Sequence, residues 1–208
     1  MSYILSLLLV LWPTTPAQKK DANTLADGVD QTFAKMRDFS ADFVHTFEDS
    51  LNQKRQEKGH LSLARDRKMR WEYNYPEEKL LVSNGKTVYW FEPAVQQVTR
   101  DDVKNISDDQ IPMMFLVGRS GLRDQFKQID LFGTQVLRLT PRRKSDLRQI
   151  EIEVDPASYL VHRLVLAYSD GSRSEFMFTN IRTNIGLDPE LFEFKVPSGV
   201  ELVNGFGR

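Results

Sequence analysis

The 208-residue sequence predicts a mainly β fold with a few helices, an α+β chain built on an antiparallel sheet. Three observations carry that prediction. Apolar and polar residues alternate at period two in several separate stretches. Asn84-Gly85 and Asp170-Gly171 each divide two such stretches, as hairpin turns do. One early segment has the helical period instead. The length suits one ordinary domain with a sizeable core.

Tyr3 to Trp12 is apolar, too short to span a bilayer as a helix, and followed by Pro13, Thr14, Thr15, Pro16 and Ala17. This fits a secretory leader cleaved after Ala17, which leaves 18–208 as a single domain exported to the periplasm. No Lys or Arg precedes the apolar run, so a buried N-terminal strand or helix is the competing reading. Thr24-Leu-Ala-Asp27 has capping-box spacing, and Leu25, Val29, Phe33 and Met36 then form one apolar helical stripe.

From Phe39 the period changes to two: Phe39, Ala41, Phe43, His45 and Phe47 share one face. Asp49 to Lys58 is polar and reads as a turn. Met69, Trp71, Tyr73 and Tyr75 alternate with Arg70, Glu72 and Asn74. Hairpins are expected between Lys79–Ser83 and Thr87–Phe91, and between Val161–Tyr168 and Arg173–Thr179. Pro112 to Val117, followed by Gly118, suits a short helix, and Ser120 to Phe126 adds another turn. Ile150, Ile152 and Val154 mark a further strand, and Phe192, Phe194 and Val196 a last one.

Composition narrows the function. Twenty-eight basic residues stand against 29 acidic ones, so the chain lacks the excess of positive charge expected of a nucleic-acid binder. The absence of Cys excludes disulfides, thiolate metal sites, a cysteine nucleophile and Cys lipidation. His45, His60 and His162 lie on different expected strands, a poor basis for a zinc site. No nucleophile elbow, phosphate loop or metalloprotease motif is present, and no cofactor is called for. Arg142, Arg143 and Lys144 read as a solvated hairpin tip. The 13 Phe, 6 Tyr and 3 Trp remain, many on one face of their strands, as either a solid core or the wall of a ligand cavity.

The stretches Gly59-His-Leu-Ser-Leu-Ala-Arg65, Met69-Arg-Trp-Glu-Tyr73, Leu81-Val-Ser-Asn-Gly-Lys86 and Val88-Tyr-Trp-Phe-Glu-Pro93 resemble the LolA family of periplasmic lipoprotein carriers. Ile111-Pro-Met-Met-Phe-Leu116 is similar to that family's central lid segment. Asp188 to Val200 is similar to its closing strand. The resemblance implies an incomplete antiparallel β-barrel of about eleven strands, plugged and covered by three short helices. It implies a carrier and no enzyme. Its partners would be triacylated lipoproteins, an inner-membrane lipoprotein-releasing ABC transporter and an outer-membrane lipoprotein acceptor.

On that footing Phe43, Phe47, Met69, Trp71, Tyr73, Trp90, Ile150 and Ile152 are expected to line the acyl-chain cavity. Val29, Phe33, Met36, Met113, Met114, Phe115 and Leu116 are expected to form the lid. Methionine suits a surface that must fit varied shapes. The family's functional arginine matches Arg65 as a lid latch; Asp66 stands where the family often has Pro, which leaves Arg67 as the other candidate. The polar strand faces suggest a monomer. A carrier or sensor of another lipid or glycolipid is the alternative, because an apolar cavity does not by itself specify its cargo.

Overall fold

The computed structural model describes residues 21–106, 111–117 and 120–205; the expected leader, residues 1–17, lies outside them. Helix α1 spans Ala22–Lys35, and the Asp21 side chain caps it by accepting the Thr24 N–H at 2.7 Å. The helix thus begins before the expected capping box. Asp27 is not the reaching residue and instead pairs with Arg123 at 2.7 Å. Leu25, Val29, Phe33 and Met36 are buried, as the helical stripe predicts.

Six strands follow: β1 Asp38–Glu48, β2 Lys54–Ala64, β3 Lys68–Tyr75, β4 Lys79–Asn84, β5 Thr87–Glu92 and β6 Gln97–Asp102. β2 starts inside the stretch expected to be a turn. Lys54 to Lys58 has little apolar content, but its backbone pairs with Val44 to Glu48, and ladder hydrogen bonds rather than burial make it a strand. Short helices α2 (Met114–Val117) and α3 (Leu122–Gln125) come next. The second run of strands is β7 Phe126–Phe132, β8 Val136–Pro141, β9 Leu147–Val154, β10 Val161–Tyr168 and β11 Arg173–Thr183. A final strand, β12, covers Glu201–Asn204.

All twelve strands form one open, curved sheet in the order β12-β6-β5-β4-β3-β2-β1-β11-β10-β9-β8-β7. The architecture is two antiparallel meanders, β1–β6 and β7–β11, joined where β1 pairs with β11. Every strand pairing is antiparallel except that of β12 with β6, which is parallel. The three α-helices belong to the concave side, where α1 packs against β7, β8 and α2.

The segment around Phe192 to Val196 forms no ladder. It begins with a 3₁₀ turn, Pro189–Phe192, and straps the outer face of β3 and β4. Phe192 is buried, Phe194 packs on Tyr89 and Phe91, and Arg70 Nη1 donates to the Leu191 carbonyl at 3.3 Å. Its alternation therefore reflects one side facing a sheet and the other facing water, which a packed strap shares with a strand. The strap is anchored at Asp38, whose buried carboxylate accepts the N–H groups of Ile185, Gly186 and Leu187 at 2.7, 3.0 and 3.3 Å.

Candidate functional site

The strand period sorts β1 into an inner row of Phe39, Ala41, Phe43, His45 and Phe47. Pairing puts Phe43 opposite Phe178 and His45 opposite Phe176 on β11. On the other side, Phe43 faces Gly59. A Cβ on Gly59 would lie 2.7 Å from the Phe43 ring and would also strike the Glu72 carbonyl, so glycine is what lets that ring seat. Phe43 then meets Trp71 and Tyr73 at 5.0 and 4.9 Å between centroids, and Trp71 meets Phe176 at 5.3 Å. These edge-on contacts make a continuous aromatic wall.

Beyond that wall lies a cavity of about 810 Å³, within the range of ligand pockets. Phe47, Trp71, Tyr73, Leu81, Trp90 and Phe176 supply its apolar sides. Ile106, Ile111 and Pro112, which lead into α2, form its cover. Its polar margin carries His45, Asp146, Asp170, Ser172 and Ser174.

Of the expected cavity residues, Phe47, Trp71, Tyr73 and Trp90 come together here. Phe43, Met69 and Ile152 sit in the solid core behind them. Ile150 instead lines a separate hollow of about 380 Å³, with Ile106, Phe126 and Leu147 as apolar neighbours and Arg67, Lys104, Arg142 and Arg143 also at its walls. All the expected lid residues are buried: Val29, Phe33 and Met36 on or beside α1, and Met113, Met114, Phe115 and Leu116 at α2. Sequence reasoning missed Leu81, Ile106, Ile111 and Phe176 as lining residues. The parity of Leu81 with Ser83, and of Phe176 with Phe178, was a usable signal for two of them.

Arg65 reaches the end of α1. Its Nε donates to the Met36 carbonyl at 3.0 Å and its Nη2 to those of Ala34 and Lys35 at 3.3 Å. These carbonyls have no further helical turn to bond, and a cation is favoured at that end of the dipole. Arg67 is placed differently: its carbonyl accepts the Ser83 hydroxyl, and its side chain lines the hollow with Lys104. A second tie holds the flank of α1, where the Asp30 carboxylate accepts the Leu122 N–H at 3.0 and 3.1 Å. Burial holds the Asp30 pKa above its ordinary value.

Charged side chains also stand beside His45. Glu57, opposite His45, accepts from its Nδ1 at 3.1 Å and from Lys79 Nζ at 2.6 Å. The hydrogen bond from His45, aided by Lys79, lowers the Glu57 pKa to about 2 against the opposing effect of burial. Burial, reinforced by the Glu57 charge, raises the pKa of Tyr73 well above the ordinary phenol value. Among the described residues no group of His, Asp and Glu is arranged to hold a metal ion.

A curved, open sheet with helices packed over one end and an aromatic-walled hollow at the other defines the class of β-barrel-like ligand-binding proteins. The family model "Outer membrane lipoprotein carrier protein LolA" matches residues 34–195, and the chain belongs to that family. An outer-membrane lipoprotein carrier protein of Pseudoalteromonas translucida is 28% identical over 208 residues, with 97% of each chain covered. One from Haemophilus influenzae is 31% identical over 179 residues, covering 85% of each. The crystal structure of an uncharacterized conserved protein from Thermus thermophilus shares the fold at a TM-score of 0.55 and 13% identity, covering 88% of this chain and 99% of that one.

Proposed function

We propose that the chain is a periplasmic carrier that takes the acyl chains of lipoproteins released from the inner membrane and passes them to an outer-membrane acceptor. The observation that carries this is the 810 Å³ cavity walled by Phe47, Trp71, Tyr73 and Trp90 in a chain of the LolA family. Burying an alkyl chain is worth about 0.8 kcal/mol per CH₂, so a chain of about sixteen carbons resists water by roughly 12 kcal/mol. Such a cargo crosses an aqueous space only under cover. Binding and handover break no covalent bond, and the reading assigns no catalytic residue.

Release needs a competitor for the cavity. Val29, Phe33 and Met36, together with Met113 to Leu116, serve as that competitor: they fill the end of the concave face next to the cavity when cargo is absent and move aside when its chains extend there. Arg65 acts as the latch, favouring the closed form through the carbonyls at the end of α1. In Arg65→Leu, cargo loads but is handed on slowly; handover at the wild-type rate refutes the latch. The partners are triacylated lipoproteins, a releasing ABC transporter and an outer-membrane acceptor, and the carrier works as a monomer. Residues 1–17 are the export leader, so the mature chain sequenced from periplasm begins at Gln18.

Mass spectrometry of the protein isolated from periplasm tests the whole reading. A co-purifying acylated polypeptide is the expected result. Recovery of only free lipid or glycolipid transfers the role to that cargo, and absence of any acylated species overturns it.

A further inference from the structure

The cavity cover and the latched helix are both bonded to a helix of a single turn. Ile111 and Pro112, which lead into α2, cover the main cavity, and Arg65 holds the end of α1. Helix α3, only Leu122–Gln125, is hydrogen-bonded to both α1 and α2. Its N-cap is Gly121, which has no side chain to offer the first N–H groups. The Asp30 carboxylate of α1 takes that place, accepting the Leu122 N–H at 3.0 and 3.1 Å. A Cβ on Gly121 would stand 2.7 Å from Asp30 Oδ2, so glycine leaves room for this carboxylate. Asp27 adds an ion pair to Arg123 at 2.7 Å.

Gln125 makes the joint to α2. Its Nε2 donates to the Phe115 carbonyl of α2 at 2.9 Å and to the Ser120 carbonyl, just ahead of α3, at 2.6 Å. One amide thus staples α2 to the entry of α3. The far end of α3 is fixed to β8, where the Arg142 N–H donates to the Gln125 carbonyl at 3.2 Å and Arg142 Nη2 to the Arg123 carbonyl at 3.0 Å. A single turn fixes several residues for very few internal hydrogen bonds and does not hold its shape alone in water. The first residues of α3 therefore depend on their ties to α1 and α2.

We propose that Asp30 and Gln125 are positioning residues that make opening of the cavity cover and release of the Arg65 latch one transition, relayed through α3. When cargo lifts Ile111 and Pro112, α2 moves with them and Gln125 loses the Phe115 carbonyl. The entry of α3 is then no longer stapled, Asp30 has no fixed N–H to hold, and α1 comes away from Arg65. The same steps run backward when the latch closes, because coupling between two sites is reciprocal. Helix α1 also packs on α2 directly, which is the rival route. The inference rests on the carrier reading above, in that it needs a cargo that lifts the cover.

The test is amide hydrogen exchange in the mature protein, with and without a bound synthetic triacylated lipopeptide, read at Phe33 to Lys35 in the last turn of α1. Each protein is compared with its own cargo-free form. In the wild type the lipopeptide is expected to speed exchange there about tenfold, a coupling of ordinary size. Gln125→Met keeps the length of the side chain and removes its N–H donors. It is expected to bind the lipopeptide with an acceleration below about twofold. Asp30→Leu is expected to lose the acceleration likewise, and Asp30→Asn, which retains an acceptor oxygen for Leu122, to keep it. Bound lipopeptide without acceleration in the wild type overturns the relay whether or not the variants fold, and leaves the carrier reading standing. Full acceleration in folded Gln125→Met also overturns the relay and assigns the coupling to the direct contact of α1 with α2. A wild type that binds no lipopeptide overturns the carrier reading, and the relay with it.

Discussion

At the end of the concave face beneath α1, Phe39, Leu63, Met69 and Met113 are at most 1% exposed. At the other end, Phe47, Tyr73 and Trp90 border a hollow of about 810 Å³. The same strands build both ends: β1 supplies Phe39 and Phe47, β3 supplies Met69 and Tyr73. The difference is what lies over them. Phe33 of α1 meets Phe39 at 6.4 Å, and beside Met113 the same segment adds Met114, Phe115 and Leu116, all buried. No helix among the described residues fills the second end. A curved sheet leaves more interior than its own side chains can occupy, so the placement of a few helical residues decides where the molecule is solid and where it can accept a guest.

Substitutions sharpen this contrast. Phe39→Ala, at the solid end, is expected to cost about 3–5 kcal/mol of unfolding free energy in urea, because the cavity it opens cannot collapse under a sheet on one side and a helix on the other. A loss below about 1 kcal/mol would show that the solid end is already loosely packed. Acid separates the ends next. The Glu57 pKa is about 2 in the folded chain against an ordinary 4.5, so its contribution is fully present above the ordinary value and is lost as pH falls from there through the folded one. We expect a loss on the order of 2 kcal/mol, allowing for solvent screening, that is missing in Glu57→Gln when the two are unfolded across that window. An identical acid profile for both would place the acid sensitivity elsewhere.

Asp30→Ala removes the acceptor for the Leu122 N–H and is expected to cost about 1 kcal/mol globally while speeding amide exchange in α1 more than in the sheet. Uniform acceleration would mean that the helix has no opening of its own. The smallest effect on stability belongs to the hollow end. Trp90→Ala is expected to change stability by under about 1 kcal/mol yet to weaken binding of a fluorescent fatty-acid probe severalfold. A large stability loss with unchanged probe binding would reverse the assignment of roles to the two ends.

The candidate site was partly legible in advance. Residues such as Trp71 and Tyr73 reveal their face by alternation, because a strand has only two sides. Arg65 was singled out by a residue match, and only the structure shows its guanidinium within reach of three carbonyls at the end of α1. Phe43 and Phe47 carry the same pattern, yet one is packed and the other borders open space. Alternation tells inward from outward and says nothing of how far the opposite wall stands. Ile106 and Ile111 come from a segment with no strong period, so only their position over the sheet marks them as cover.

By itself the sequence determined the helix that carries the Leu25, Val29 and Phe33 stripe, most strands and the Asn84-Gly85 and Asp170-Gly171 hairpins, because these rest on local dihedral preference and on the periods of neighbouring side chains. Tertiary structure alone decided that β1 pairs with β11, that Phe192 to Val196 is a strap, and that Glu57 meets His45 and Lys79. It also decided where the hollow lies. Those features depend on distances between residues far apart in the chain, and empty volume is a property of the walls together, which no single stretch of residues can specify.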